Sequence, residues 1–222
     1  MRLKIALITM VLALTTLASY AADRVGLYLY GTKHQRGGEA IAQQTANLYV
    51  YDACKVKAYD QSKIWAHDTC QVEAYGQTTV TAKADAVIKA YDTTRVIASN
   101  NCKVDANGSA NVLASENCEI DAHGNVAVHA TDRVLVRADG NCTVLANKQV
   151  KVEVSGNCIV MALGESQVTA SGNATVKAYE NSKVLAKEGV KVEAYGNCEI
   201  TAEDGAVVEK HEATAKVIHK KV

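Results

Sequence analysis

The cysteines are the reactive residues with the most regular spacing in this chain. Three pairs are each separated by sixteen residues: Cys54 and Cys70, Cys102 and Cys118, Cys142 and Cys158. Thiols on neighbouring strands are close enough for a disulfide, or they pack side by side as small buried side chains. The spacing leaves both arrangements open for these pairs. Cys198 faces a serine one interval earlier, at Ser182, and is expected to be unpaired.

The tyrosines repeat at the same interval and suggest stacking. Tyr59, Tyr75 and Tyr91 are sixteen residues apart, as are Tyr179 and Tyr195. Such spacing predicts two ladders of stacked rings, each at one edge of a repeating structure. The functional alternative is a platform that binds a glycan.

Acidic residues and histidines give little support for catalysis. Asp105 and Asp121 are a candidate carboxylate pair for polysaccharide cleavage, but no long insertion provides the walls of a cleft, so a solvated charged face explains them better. The six histidines are scattered, and no CxxC motif occurs. The sequence therefore predicts no catalytic residue, no metal site and no cofactor.

An eight-residue repeat dictates the architecture. Every position divisible by eight from Leu48 to Val208, 21 in all, is Val, Ile or Leu. Two residues later, 18 of the 19 positions from Ala58 to Ala202 are Ala, and Val154 is the exception. The position two residues before each aliphatic holds only Cys, Ser, Thr, Ala or Val. This alternation with period two indicates short strands with one buried face, and Gly, Asp and Asn between them indicate turns.

The sixteen-residue intervals set the length of one coil. If two octapeptides make a coil, each cysteine pair lies on adjacent coils. The outward residues after the central aliphatics also separate by parity, one column being largely apolar and the other largely charged. We therefore predict an all-β fold, a two-sheet β-solenoid (β-helix) of about ten 16-residue coils, each made of two octapeptide repeats.

The ends depart from the repeat. Residues 1–21 combine a basic start, an apolar stretch and the small-residue cleavage site Ser19-Tyr20-Ala21, which predicts a secretory signal peptide and no membrane span after its removal. Residues 22–47 are expected to form an N-terminal cap, with a short helix near "EAIAQQTAN". Residues 48–208 form the solenoid, and residues 209–222 a C-terminal cap or tail.

Charge excludes one class of partner. The chain has 24 basic and 24 acidic residues, and removal of residues 1–21 subtracts two basic ones. A near-neutral chain lacks the positive field that binds phosphate backbones. No nucleic-acid partner is expected.

The repeat resembles a known class of proteins. Val56-Lys57-Ala58-Tyr59 and Val192-Glu193-Ala194-Tyr195 are similar to the Val-x-Ala-Tyr octapeptide arrays of exported bacterial proteins. The whole region 48–208 resembles short-period bacterial β-solenoids, including the autotransporter-adhesin head GIN type. This resemblance implies a fold and an exported protein, in the periplasm, at the outer surface or secreted. It carries over no active-site residues.

The apolar column gives the strongest functional indication. We define it by its six large members: Tyr49, Trp65, Ile97, Leu113, Leu145 and Met161. Soluble monomers rarely expose a long apolar stripe, so this column predicts an interface for self-association or for a partner in the envelope or at the surface. The expected function is a non-enzymatic structural or adhesive module, with a carbohydrate-binding solenoid as the alternative and a polysaccharide-degrading enzyme less favoured.

Overall fold

The computed structural model describes residues 25–212 and 214–221. Within them the chain alternates between two parallel β-sheets, so that each coil contributes one strand to each sheet. The thirteen-strand sheet contains β1 (Val25–Tyr28), β3 (Glu39–Ala42), β5 (Lys55–Ala58), β7 (Gln71–Ala74), β9 (Val87–Ala90), β11 (Lys103–Gly108), β13 (Glu119–Gly124), β15 (Leu135–Gly140), β17 (Lys151–Val154), β19 (Gln167–Ala170), β21 (Lys183–Ala186), β23 (Glu199–Glu203) and β25 (Lys216–Lys220). The twelve-strand sheet contains β2 (Thr32–Arg36), β4 (Asn47–Tyr51), β6 (Lys63–Ala66), β8 (Thr79–Ala82), β10 (Arg95–Ala98), β12 (Asn111–Ala114), β14 (Ala127–Thr131), β16 (Thr143–Asn147), β18 (Ile159–Ala162), β20 (Thr175–Ala178), β22 (Lys191–Ala194) and β24 (Val207–Lys210).

The predicted all-β solenoid with a sixteen-residue period is confirmed. In the central coils each residue pairs with the one sixteen positions later, as Val104 does with Ile120 and Ile120 with Val136. All described strand pairs are parallel, so like residues stack into columns along the axis. Among the described residues, no helix has the length and apolarity that a membrane span requires.

The core consists of three inward columns. The central Val and Ile, the Ala two residues later and the Cys/Ser/Thr class two residues earlier are almost fully buried, as Ile120, Ala122 and Cys118 illustrate at 0, 0 and 1% exposure. Alternating side chains place these columns inside and the remaining strand residues outside. The absence of phenylalanine from the chain fits this narrow interior.

The solenoid is longer than the repeat predicted. About twelve coils are present where about ten were expected, since strands also form before residue 48 and after residue 208. The chain there keeps the columns but changes the coil length: Val25 pairs with Glu39, fourteen residues on, and Glu199 pairs with Lys216, seventeen residues on. Coils of fourteen and seventeen residues do not follow an eight-residue period, so the repeat could not predict them.

The short helix expected near residues 39–47 is wrong. Residues 39–42 form strand β3, in which Ala40 and Ala42 are buried and Glu39 pairs with Lys55. Strand β5 would otherwise present unpaired backbone groups at this edge, and pairing with β3 satisfies them. The predicted signal peptide, residues 1–21, lies outside the described residues.

Candidate interaction face

The apolar column lies on the outer surface of the twelve-strand sheet, which we call the twelve-strand face. Its residues occupy the middle of successive strands, so that Tyr49 pairs with Trp65, Ile97 with Leu113 and Leu145 with Met161. The two positions that interrupt the column are Thr81 and His129. Because the sheet is in register, residues distant in sequence align into one stripe that is interrupted at these two positions.

The exposure of the column varies along its length. Ile97 and Met161 are each 38% exposed, and Ile159, beside Met161 on the same strand, is 47% exposed. Tyr49, Trp65, Leu113 and Leu145 are half-buried. The stripe therefore retains accessible apolar surface near Ile97 and near Met161.

Stacked aromatic rings lie at the N-terminal end of the twelve-strand face. The ring of His34 stacks on Tyr49 at 4.8 Å between centroids, and Tyr49 stacks on Trp65 at 4.4 Å. Beside them, Arg36 lies over the ring of Tyr51 at 5.0 Å. The repeat did not predict these stacks with His34 and Arg36, because both residues lie in coils of irregular length. Stacked rings in register stabilise neighbouring strands through their contact.

Ion pairs lie at the C-terminal end of the twelve-strand face. Lys177 Nζ lies 3.0 Å from a Glu193 carboxylate oxygen, and Lys191 Nζ lies 3.1 Å from one of Glu209. The hydrogen bond between Lys177 and Glu193 raises the pKa of the lysine and lowers the pKa of the glutamate. This end is therefore charged but internally balanced.

The outer surface of the thirteen-strand sheet has a different character. Arg137 donates to Glu119 at 2.6 Å and to Asp121 at 3.3 Å. The hydrogen bond from Arg137 holds the pKa of the Glu119 carboxyl below its usual range. Asp105 and Asp121 are neighbours in register on this open sheet. The carboxylate pair predicted from the sequence thus lies within a surface ion-pair network.

The tyrosines stack at the turn edges. Tyr59 and Tyr75 are 5.2 Å apart, and Tyr75 and Tyr91 are 4.9 Å apart, with nearly parallel rings. Tyr179 and Tyr195 stack at 4.8 Å. Both faces of Tyr75 are therefore covered by neighbouring rings. A sugar that stacks on an aromatic face has access only to the ends of such a ladder.

Acidic turn residues bind the backbone of the preceding coil. Asp60 Oδ2 accepts from the Gln44 amide at 2.9 Å, and Asp92 Oδ2 accepts from the Gly76 amide at 3.0 Å. Asp60 and Asp92 also have positive φ, which Asp tolerates better than most residues. Within the part of the chain that the structure describes, no group of three or more His, Cys, Asp and Glu is placed to hold a metal ion.

The cysteines form no disulfides. All seven are described, and all are free and buried. Of the two arrangements that the spacing left open, the structure therefore contains the stacked one. The interaction between the neighbouring thiols of Cys142 and Cys158 raises the pKa of Cys142 and lowers that of Cys158. Burial raises the pKa of Cys54 to about 12.

The turns explain why Cys, Ser and Thr share a column. Cys118 Sγ donates to the Ser115 carbonyl at 3.0 Å, three residues earlier. Ser62 Oγ and Thr78 Oγ1 make the corresponding bonds to Tyr59 and Tyr75 at 2.8 and 2.7 Å. Each side chain satisfies a partly buried turn carbonyl. The sulfur is thus aimed at its own turn, and a disulfide would break this bond.

We expect no thiol of the native chain to react with Ellman's reagent at pH 8, because every cysteine is at most 1% exposed. All seven should react after unfolding in guanidinium without reductant. Thr93→Cys, at an exposed turn position, is the control and should add one reactive thiol to the native chain. Fewer than seven thiols in the unfolded wild type would contradict the free state of the cysteines.

Comparisons of the chain with protein-family models, with curated proteins and with solved structures find no match.

Proposed function

We propose that this protein is a non-enzymatic, exported structural or adhesive β-solenoid that acts through the twelve-strand face. The observation that carries the proposal is the apolar column, which spans eight coils in register and is interrupted at Thr81 and His129. Apolar stripes of this length on monomers usually mark interaction sites. Export rests on the signal-peptide pattern of residues 1–21.

The charge pattern favours binding over catalysis. The only paired carboxylates that the sequence singled out, Asp105 and Asp121, lie on the outer surface of the thirteen-strand sheet near Arg137. A glycosidase pair needs a cleft that holds a sugar between an acid and a base or nucleophile. We therefore place a polysaccharide-degrading activity last among the candidate functions.

The tyrosine ladders favour a protein partner over a glycan. Carbohydrate platforms use free aromatic faces, whereas Tyr75 is stacked on both sides. A glycan-binding role is the second candidate and would depend on ring edges and ladder ends. The resemblance to exported bacterial octapeptide arrays, including adhesin heads of the GIN type, supports a place in the cell envelope or at its surface.

The proposal predicts a loss of binding when the face is charged. We expect Trp65→Glu combined with Leu113→Glu to reduce at least tenfold the self-association of the purified chain in sedimentation velocity, or its co-sedimentation with envelope fragments of the bacterial expression host. A carboxylate buried in an apolar contact carries a large desolvation penalty. Leu185→Glu combined with Thr169→Glu, neighbours in register on the thirteen-strand sheet, is the matched control and should behave as the wild type.

Circular dichroism should show unchanged folding for both double variants, since all four positions point outward. The proposal is overturned if the face variant equals the wild type in both assays. It is also overturned if the wild type neither self-associates nor binds the envelope fragments.

A further inference from the structure

The five central coils of the apolar column are symmetric about His129, whereas Trp65 and Tyr49 correspond to Glu193 and Glu209. Leu113 and Leu145 lie one coil to either side of it, and Ile97 and Met161 lie two coils to either side. A self-complementary surface is what an isologous dimer requires, because each residue must face its symmetry-related counterpart. The symmetry therefore points to a second copy of this chain as the occupant of the face.

Two face-to-face dimers with two-fold symmetry are geometrically available. If the two-fold axis runs along the solenoid, the copies are parallel and each strand faces itself, so that Lys177, Glu193 and Glu209 each meet an identical charge. If the axis runs along the strands at His129, the copies are antiparallel. Glu193, which is paired with Lys177 at 3.0 Å, then faces Trp65 of the second copy, and Leu113 faces its Leu145. Only the antiparallel dimer avoids like charges along the central column.

We propose that the chain forms an antiparallel homodimer through the twelve-strand face, with the two His129 side chains meeting at the two-fold axis. This inference rests on the proposed function, since it names the partner of the same face. It goes further by fixing which residues meet.

The centre of the face can be desolvated at low cost. Over four consecutive strands, β12, β14, β16 and β18, the outward residues include no Lys, Arg, Asp or Glu. They are Asn111, Leu113, Ser115, Ala127, His129, Thr131, Thr143, Leu145, Asn147, Ile159, Met161 and Leu163. Burying unpaired charges is the main penalty at an interface, and the only charge that the antiparallel arrangement adds opposite these strands is Arg95 of β10, which faces Ile159 of the second copy.

The flanks are compatible with the same arrangement. Lys83 faces Tyr179 of the second copy, a pairing that permits a cation–π contact. The one pair of like charges on the flanks is Lys63 with Lys191, and Lys191 is already bound to Glu209 at 3.1 Å. The carboxylate of Glu209 therefore offsets the one like-charge contact that rotation about His129 creates.

The face is large enough for a stable dimer. Eleven coils at about 4.8 Å each, with strands about 15 Å wide, offer roughly 800 Å² per copy. Partners in specific interfaces of standard size contribute about the same area. The antiparallel rotation about His129 overlaps nearly the whole length of the face.

Spin labels on the turns test the geometry without altering the face. Single cysteines would replace Gln61, Thr93 and Asn125, which are exposed turn residues preceding β6, β10 and β14. The native cysteines are buried, so a nitroxide attaches only to the new one. Double electron–electron resonance then measures the distance between equivalent labels of two copies.

The antiparallel dimer predicts that this distance grows away from His129. At about 4.8 Å per coil, the separation along the axis is about 38 Å for Gln61, about 19 Å for Thr93 and close to zero for Asn125. Trp65→Glu combined with Leu113→Glu should abolish the dipolar signal. A parallel dimer would give one distance at all three positions, and a monomer would give none, and either result overturns the dimer. Loss of envelope binding in the face variant would still uphold the proposed function in that case.

Discussion

Replacing Ile120 by aspartate is expected to prevent the central coils from folding. Ile120 is fully buried at the middle of β13, where it pairs with Val104 on one side and Val136 on the other. An aspartate there finds only apolar neighbours, and an unpaired buried carboxylate costs several kcal/mol, about 5 or more when the lost packing is added. Because small domains are stable by roughly 5–15 kcal/mol, most of that margin disappears. Far-ultraviolet circular dichroism with urea titration measures the loss.

The effect should depend on position along the solenoid. Ile120→Val removes one methyl group and should cost about 0.5–1.5 kcal/mol. Val217→Asp changes the last coil, where β25 has a neighbour on one side only. Stacked repeats contact only adjacent repeats, so hydrogen exchange should show loss of β25 with the remaining coils protected. Equal damage from Val217→Asp and Ile120→Asp would contradict nearest-neighbour stability.

Replacing Gly140 by alanine is expected to destabilise the chain by about 2–4 kcal/mol, a left-handed backbone penalty plus a steric clash. Gly140 has a φ of +81°, and a Cβ atom there would lie 2.9 Å from the carbonyl oxygen of Gly124 in the preceding coil. That oxygen belongs to the backbone and accepts from the Asn141 amide at 2.7 Å, so it cannot move away freely. Thermal and urea unfolding quantify the loss.

Gly76→Ala isolates the steric part of this effect. Gly76 occupies the same turn column with a φ of +69°, but a Cβ atom there would lie 3.4 Å from its nearest neighbours in Asp60. We expect this variant to lose only about 1–2 kcal/mol, the penalty for the left-handed backbone. The close approach of coils in the glycine column would be refuted if the two variants lost the same stability.

Most of the central fold could be predicted from the sequence because every column repeats. The aliphatics from Leu48 to Val208 specify strands with one buried face, and the spacing of Cys102 and Cys118 gives the length of the coil. Parallel stacking in register then follows, since a shift of one residue would turn every Val outward. The position of the apolar column on one sheet, separate from Asp105 and Asp121, follows from the same period.

The irregular coils could not be predicted. Glu39–Ala42 has a composition compatible with a helix, and only pairing with β5 decides that it is a strand. The aromatic stack at the N-terminal end of the face could not be predicted for a related reason, because His34 pairs with Tyr49 across fifteen residues. A repeat of constant length carries no information about a coil that is one residue shorter.

The period, the inward columns and the identity of the two faces follow from the amino-acid sequence, because each depends on spacing along the chain. The direction of the side chains within those columns follows instead from the folded backbone around them. The spacing brought Cys142 and Cys158 together but allowed either a bridge or two thiols. The turn decided the outcome, since a carbonyl three residues earlier, at Asp139 for Cys142 and at Ser155 for Cys158, takes the hydrogen bond of each sulfur.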